Sequence, residues 1–306
     1  MAFADLKNDF VFRRIFATHP DILRGLLNDL LDRRDNSAIV SIEYLPSEQF
    51  PLAVGAKLSI LDVRCRDQAG TTFVVEMQLI HVPGFINRVV YNAYKAYVAQ
   101  LKVGKPYTDL TDVVAISICD FELWPDAEQE RQKLPSVPML SRWNMSERAS
   151  GNHGLLQVQY AFLELPKVPR QKPDAGAAYW AWLFVHAPEL SEMPADLPEG
   201  PFREALELAN EATFTQAERD AYQKVMDEIQ QAREFGEVKW TEGRAVGETA
   251  GVIKTLIAAI LAVLEARGIG VDDDTRGQIR GCADVATLER WLARSATASS
   301  AEGIIG

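Results

Sequence analysis

An α/β fold, with a mixed sheet flanked by helices and an all-α C-terminal region, is what this sequence predicts, and three observations carry it. Val113–Cys119 (Val-Val-Ala-Ile-Ser-Ile-Cys) is an unbroken apolar run of strand length, the pattern of a strand buried on both faces. Lys57–Arg66 and Thr71–Leu79 are rich in β-branched and apolar residues and end at turn signals, as the two arms of a hairpin do. Helical periodicity opens the chain and takes over again from Ala175 onward.

Taken in order, Asp5 to Ala17 reads as a short amphipathic helix that offers Phe10, Phe12, Ile15 and Phe16 for burial, and His19-Pro20 ends it. A second helix starts near Asp21, with Ile22, Leu23, Leu26, Leu27, Leu30 and Leu31 as its apolar stripe. Val40 to Phe50 holds a strand through Ile42, Tyr44 and Leu45, confined by Pro46 and Pro51 to an edge.

The hairpin comes next, and its loop fixes a register. Gln68-Ala69-Gly70 fits a three-residue loop with Gly70 in the left-handed position. With Asp67 opposite Thr71, Arg66 pairs with Thr72, Arg64 with Val74 and Asp62 with Glu76. Directly opposite residues share a face, with Cβ atoms roughly 5 Å apart, and like charges so placed repel. Gln78 projects from the same face two residues on. Phe73, Val75, Met77 and Leu79 form the other, core face. Two carboxylates and an amide side by side suit a divalent cation such as Mg²⁺, which takes hard carboxylate oxygens and completes its octahedron with water. They equally suit two solvated acids on an exposed face, and spacing alone leaves both open. Lys57 lies an odd interval from Asp62 and reaches the site only through a bend near Gly55.

A helix from Phe85 to about Lys102 follows Pro83-Gly84. Helical spacing gathers Arg88, Tyr91, Lys95 and Lys102, a basic, tyrosine-bearing flank suited to phosphate contacts; tyrosines at such spacing also serve plain core packing. After Val113–Cys119, residues 121–150 carry three prolines and a hairpin around Trp143, and Val158–Leu165 alternates as another strand. Ala177–His186, Phe202–Thr213, Thr215 to about Arg233, Val252–Ala266 and Thr287–Arg294 are helical, with Thr215-Gln216-Ala217-Glu218 resembling an N-cap. Gly243, Gly247 and Gly251 recur every four residues in a helical connector that lacks the Gly-Lys-Ser/Thr ending of a phosphate loop. The division expected is 1–235 for the sheet domain and its helical extension, and 236–306 for connector and tail.

Asp62, Glu76-Met77-Gln78, the helix bearing Arg88, Tyr91, Tyr94 and Tyr97, and the opening Asn8-Asp9-Phe10-Val11-Phe12-Arg13-Arg14-Ile15-Phe16 together resemble the Rpn group. These are recombination-promoting nucleases and transposase-like proteins of the PD-(D/E)XK superfamily. The likeness continues through Phe162–Lys167 and Trp180–Phe184 and spans nearly the whole chain. It implies a restriction-endonuclease-like core and a metal-dependent DNA endonuclease using Mg²⁺, with Mn²⁺ as a substitute. Asp62 and Glu76 would hold the metal, with Asp9 assisting, and Gln78 would position the attacking water. Asp9 also reads as a helix N-terminal acid favoured by the macrodipole. Arg88, Tyr91 and Lys95 would contact DNA, with Gln100 a weaker candidate. The sequence departs from the superfamily's name at Gln78, where a lysine is expected; glutamine exchanges hydrogen bonds but supplies neither charge nor base. That departure keeps a second reading alive, a catalytically inactive nuclease-like module that binds DNA or protein. A third is a structural oligomer organised by the C-terminal helices, with the carboxylates as surface decoration.

Composition limits the rest. With 306 residues, 47% of them hydrophobic, the chain buries a sizeable core. No apolar run approaches the roughly 20 residues of a membrane span, and charged residues interrupt any N-terminal signal segment. Three widely spaced cysteines, Cys65, Cys119 and Cys282, read as reduced structural thiols, consistent with the cytoplasm. The net charge of −11 is uneven: residues 1–105 carry +2 and the remainder −13. Local potential guides a polyanion, so this distribution permits DNA as partner.

Overall fold

The computed structural model describes residues 2–49, 59–101, 103–296, 298 and 300–305, with the backbone alone at 49, 59–60, 232–233 and 235–252. By Cα packing the chain divides into two compact units, Met1–Ile229 and Gln230–Gly306.

Helices α1 (Asp9–Phe16) and α2 (Pro20–Leu31) open the first unit. Asn8 caps α1 by accepting from the Phe10 and Val11 amides, and Pro20 sits at the start of α2, where its missing N–H costs nothing. Strands β1 (Ile42–Tyr44), β2 (Glu48–Gln49), β3 (Ser59–Ile60), β4 (Val63–Asp67) and β5 (Thr72–Gln78) lead to α3 (Phe85–Val98). Then come β6 (Val113–Cys119), α4 (Asp126–Arg131), β7 (Leu140–Met145) and β8 (Leu155–Glu164). Helices α5 (Gly176–His186) and α6 (Pro201–Leu208) follow, and α7 (Gln216–Ala266) contains the boundary between the units. Thr215 and Glu218 close the expected reciprocal cap at its start: the Glu218 carboxylate accepts from the Thr215 amide at 2.8 Å, and the Thr215 hydroxyl from the Glu218 amide at 3.3 Å.

The main sheet has six strands in the order β1-β4-β5-β6-β8-β7; β5-β6 and β6-β8 run parallel and the other neighbours antiparallel. The mixed sheet and flanking helices are as expected. The hairpin register holds for Arg66 with Thr72 and Arg64 with Val74, and Gly70 has φ +89°, but the expected Asp62–Glu76 pair does not form in the ladder, which ends at Val63–Val75 where the chain bends. Asp67 locks the turn, its Oδ1 accepting from the Ala69 and Thr71 amides at 2.9 Å.

Two details differ from the sequence pattern. The stretch Lys57–Arg66 is not one strand: β3 pairs with β2 in a separate two-stranded sheet, and the chain bends at Asp62 before β4 begins. Lys57 itself lies outside the described residues. Second, β5 has no solvent face over most of its length. Phe73 and Val75 enter a large core with α1, α2 and α5, while Val74 enters a second core under α3 with Phe85, Val89, Ala93 and Ala96. Only from Glu76 onward does the strand become half-exposed.

The C-terminal unit contains the last part of α7, then α8 (Asp273–Gly281), α9 (Val285–Ser295) and α10 (Glu302–Ile305), around Ile260, Leu264, Ile279, Leu288, Ala301 and Ile304. The connector over 242–251 is helical in its backbone, and the packing of its glycine repeat lies outside what the structure describes. No described helix is long and apolar enough to cross a membrane.

Candidate active site

Where β4 begins, the bend at Asp62 turns its carboxylate toward β5. Its Oδ2 accepts from the Met77 amide at 2.7 Å, so the side chain continues the strand pairing one step past Val63–Val75. Its Oδ1 accepts from Arg13 Nη2 at 3.1 Å. Arg13 also holds Asp9, with Nε 3.0 Å from Oδ1. The first helix is thus tied to the site through an arginine, and Asp9 stands behind it.

Glu76 and Gln78 project from β5 beneath the N-terminal half of α3. Glu76 Oε1 accepts from Asn92 Nδ2 at 2.9 Å, and Arg88 Nη2 stands 4.0 Å from Oε2. The Arg88 guanidinium also donates to Gln78 Oε1, while Gln78 Nε2 donates to the Ile80 carbonyl at 3.0 Å. Asn92 lies one helical turn beyond Arg88, which is why both reach the same carboxylate.

Burial pushes both carboxyls up. Only 15% of the Asp62 side chain and 12% of Glu76's is exposed. For Asp62, desolvation outweighs the Met77 amide and Arg13, and the Asp9 charge adds to it. For Glu76, desolvation again leads; Arg88 and Asn92 oppose it, and the Asp62 charge reinforces it. Each acid is thus opposed in its ionised form by lost hydration and a neighbouring carboxylate, and a bound cation would reverse that balance.

The donor set suits a hard divalent ion: two carboxylates, with the buried Asn92 Oδ1 beside them lacking a hydrogen-bond partner. Asp9 does not complete a third acidic arm. Among the described residues no group of three or more His, Cys, Asp or Glu is placed to hold a metal.

The other candidates separate. Arg88 and Tyr91 line an open groove of about 780 Å³ with Val82, Pro83, Gly84, Phe85 and Asn87. Lys95 is only 3% exposed, with its ammonium 5.7 Å from the centre of the Tyr91 ring. Loss of water lowers its pKa, and burial removes it from the open basic flank where helical spacing set it. Gln100 is a brace: its amide exchanges hydrogen bonds with the Thr111 backbone, and the Thr111 hydroxyl bonds the Gly70 carbonyl at 2.6 Å. His81 packs edge-on against Phe121. Sequence reasoning did not single out Asn92 or Arg13. Asn92 was within reach, since it shares the helical spacing of Arg88; Arg13's role follows from the packing of α1 and has no local signal.

A mixed sheet with a hairpin bearing paired acids, an amide two residues on, and a helix laid over them defines a nuclease-type α/β core. A family model described as PD-(D/E)XK nuclease family transposase matches residues 6–233, and the chain belongs to that family. No curated protein and no solved structure matches it.

Proposed function

We propose that this protein is a Mg²⁺-dependent DNA endonuclease, with Mn²⁺ able to replace Mg²⁺. The observation that carries the reading is two neighbouring carboxylates, Asp62 held by Arg13 and the Met77 amide and Glu76 by Asn92 with Arg88 beside it, both buried and both disfavoured as bare anions. A divalent cation held there supplies a water of lowered pKa and polarises the phosphoryl oxygen. Gln78 orients the water by hydrogen bonding and takes no proton. Arg88, bonded to Gln78, brings beside it the fixed positive charge that the glutamine lacks, and so steadies the charge that develops on the phosphate. Asp9 acts through Arg13, setting the orientation of Asp62. Arg88 and Tyr91 receive the DNA backbone along the groove at the start of α3, and Lys95 supports Tyr91 from behind. A cytoplasmic setting, a role in recombination and self-association through the C-terminal helices belong to the same proposal.

Gln78 supports a second reading, a nuclease-like module that binds without cutting. Plasmid nicking with Mg²⁺ or Mn²⁺ separates the two. Wild type is expected to nick, and Asp62→Ala or Glu76→Ala to lose at least about a hundredfold. Mg²⁺ binding by a wild type that never nicks would establish the second reading instead.

A further inference from the structure

On β4 the side chains of Arg64 and Arg66 alternate onto one face, about 6.7 Å apart along the strand, opposite Val74 and Thr72 on the face of β5 that carries Glu76. Asp62 is fully engaged. The two arginines are not: the Nε of each is buried without a hydrogen-bond partner, and neither guanidinium has an ion pair among the described residues. Arg14 also has a bare Nε, yet its guanidinium pairs with Glu218. Arg13, Arg24, Arg33, Arg34 and Arg88 each have a carboxylate as well.

Neighbouring acids do not relieve the pair. Glu43 is the cross-strand partner of Arg66 but is exposed and forms no ion pair with it. Asp67 faces away and is taken by Arg33 and the turn. Two half-buried like charges on one face, with no counter-charge, are costly to fold. Helix α3 packs over β5, β6 and β8 on this face, and Arg64 and Arg66 are each partly exposed. The arginines therefore stand beside the acids on a part of the sheet that a ligand can reach.

We propose that Arg64 and Arg66 are a phosphate track, holding successive phosphates of the nucleic-acid strand whose scissile phosphate lies at Asp62 and Glu76. The inference rests on the nuclease reading and adds which strand edge carries the backbone. Planar guanidinium forks suit the task, since they bind phosphate oxygens in pairs and stay charged when dehydrated. The hairpin aligns the track, because β4 begins right after Asp62 and its arginines pair across from the strand that carries Glu76.

The test uses the full chain with Ca²⁺ in place of Mg²⁺, and reads the affinity for a labelled oligonucleotide across a range of salt. Arg64→Gln and Arg66→Gln are each expected to flatten the plot of log affinity against log salt by about 0.9 on duplex DNA, or about 0.7 on a single strand. The double variant flattens it by the sum of the two effects. Folding is checked by Tm, which should hold or rise as unpaired charge is removed, and the Tm increase given by Mg²⁺ should persist. Arg64→Lys should restore the slope while binding more weakly, since it keeps charge without the fork. An unchanged slope in the double variant overturns the track, as does equal flattening by the remote, exposed Arg148→Gln. So does stabilisation by inorganic phosphate with an unchanged DNA slope, which assigns the pair to a small anion. A wild type that binds DNA through these arginines but never nicks leaves the track standing and overturns the nuclease reading.

Discussion

The two faces of the six-stranded sheet are built on opposite terms. On one, Phe73, Val75, Val114 and Ile116 meet the aromatic inner sides of α1 and α5, where Phe12, Phe16, Trp180 and Phe184 lie within ring contact of one another. Of the polar atoms in that packing, Trp180 Nε1 is satisfied by Asp29 at 2.9 Å, while the Tyr179 hydroxyl is buried without a hydrogen-bond partner. On the other face, α3 lies over Val74 and Glu76, and the same face carries Arg64 and Arg66, with the Asn92 oxygen and two arginine nitrogens unsatisfied. The lesson is one of distribution: the first face supplies the stability that lets the second keep buried, poorly compensated charge. That division is how a fold sustains local strain at a site.

The comparison is broken most severely from the apolar side. Phe73→Ala, which empties a fully buried ring site on the first face, is expected to cost about 3 to 5 kcal/mol in chemical denaturation. A cost under 1 kcal/mol would show that the sheet does not depend on that face. A smaller loss comes at the turn that sets the register. Gly70 has φ +89°, and an added Cβ would stand 3.0 Å from the Thr111 side chain. Gly70→Ala should therefore cost about 1 to 3 kcal/mol in the same measurement.

The third change carries the opposite sign. Glu76→Gln removes a buried charge but keeps the shape, and should stabilise the metal-free protein by about 1 kcal/mol while abolishing the Tm increase given by Mg²⁺. Its pH dependence follows from the direction of the shift. The folded carboxyl sits above the usual 4.5, so between that value and its raised one the native state holds a proton that the unfolded chain does not. Metal-free wild type should therefore gain stability as pH falls through this window, and Glu76→Gln should lose that part of the gain. A wild-type curve that is flat or falling there, with the variant identical to it, would contradict the assignment.

How much could be read beforehand varies with how local the cause is. The hairpin register was legible because Gln68-Ala69-Gly70 dictates the count, and Val113–Cys119 because an apolar run of seven residues has few other uses. The helix bearing Arg88 was placed correctly at its start, where Gly84 takes φ +77°, but it ends at Val98, before Lys102. The two-sided burial of β5 was hidden because Thr72, Val74, Glu76 and Gln78 mix small apolar and polar residues on one face; only α3 overhead shows which half is core. The break at Asp62 was hidden as well: Asp is disfavoured in strands, but a single Asp between Ser59-Ile60-Leu61 and Val63 does not by itself mark a bend. The side-chain pairing of Arg13 with Asp62 spans 49 residues, a separation over which sequence pattern carries no signal.

The three thiols are divided between the units. Cys65 and Cys119 are buried in the sheet, and desolvation pushes the Cys65 thiol up to about 12 and raises Cys119 as well. Neither supplies thiolate at neutral pH, so neither thiol answers oxidants or electrophiles. Cys282, partly exposed beside α8, is the sulfur that the surroundings can touch. Thiol chemistry therefore falls to the C-terminal unit, while the phosphodiester chemistry proposed for the first proceeds beside thiols that stay protonated.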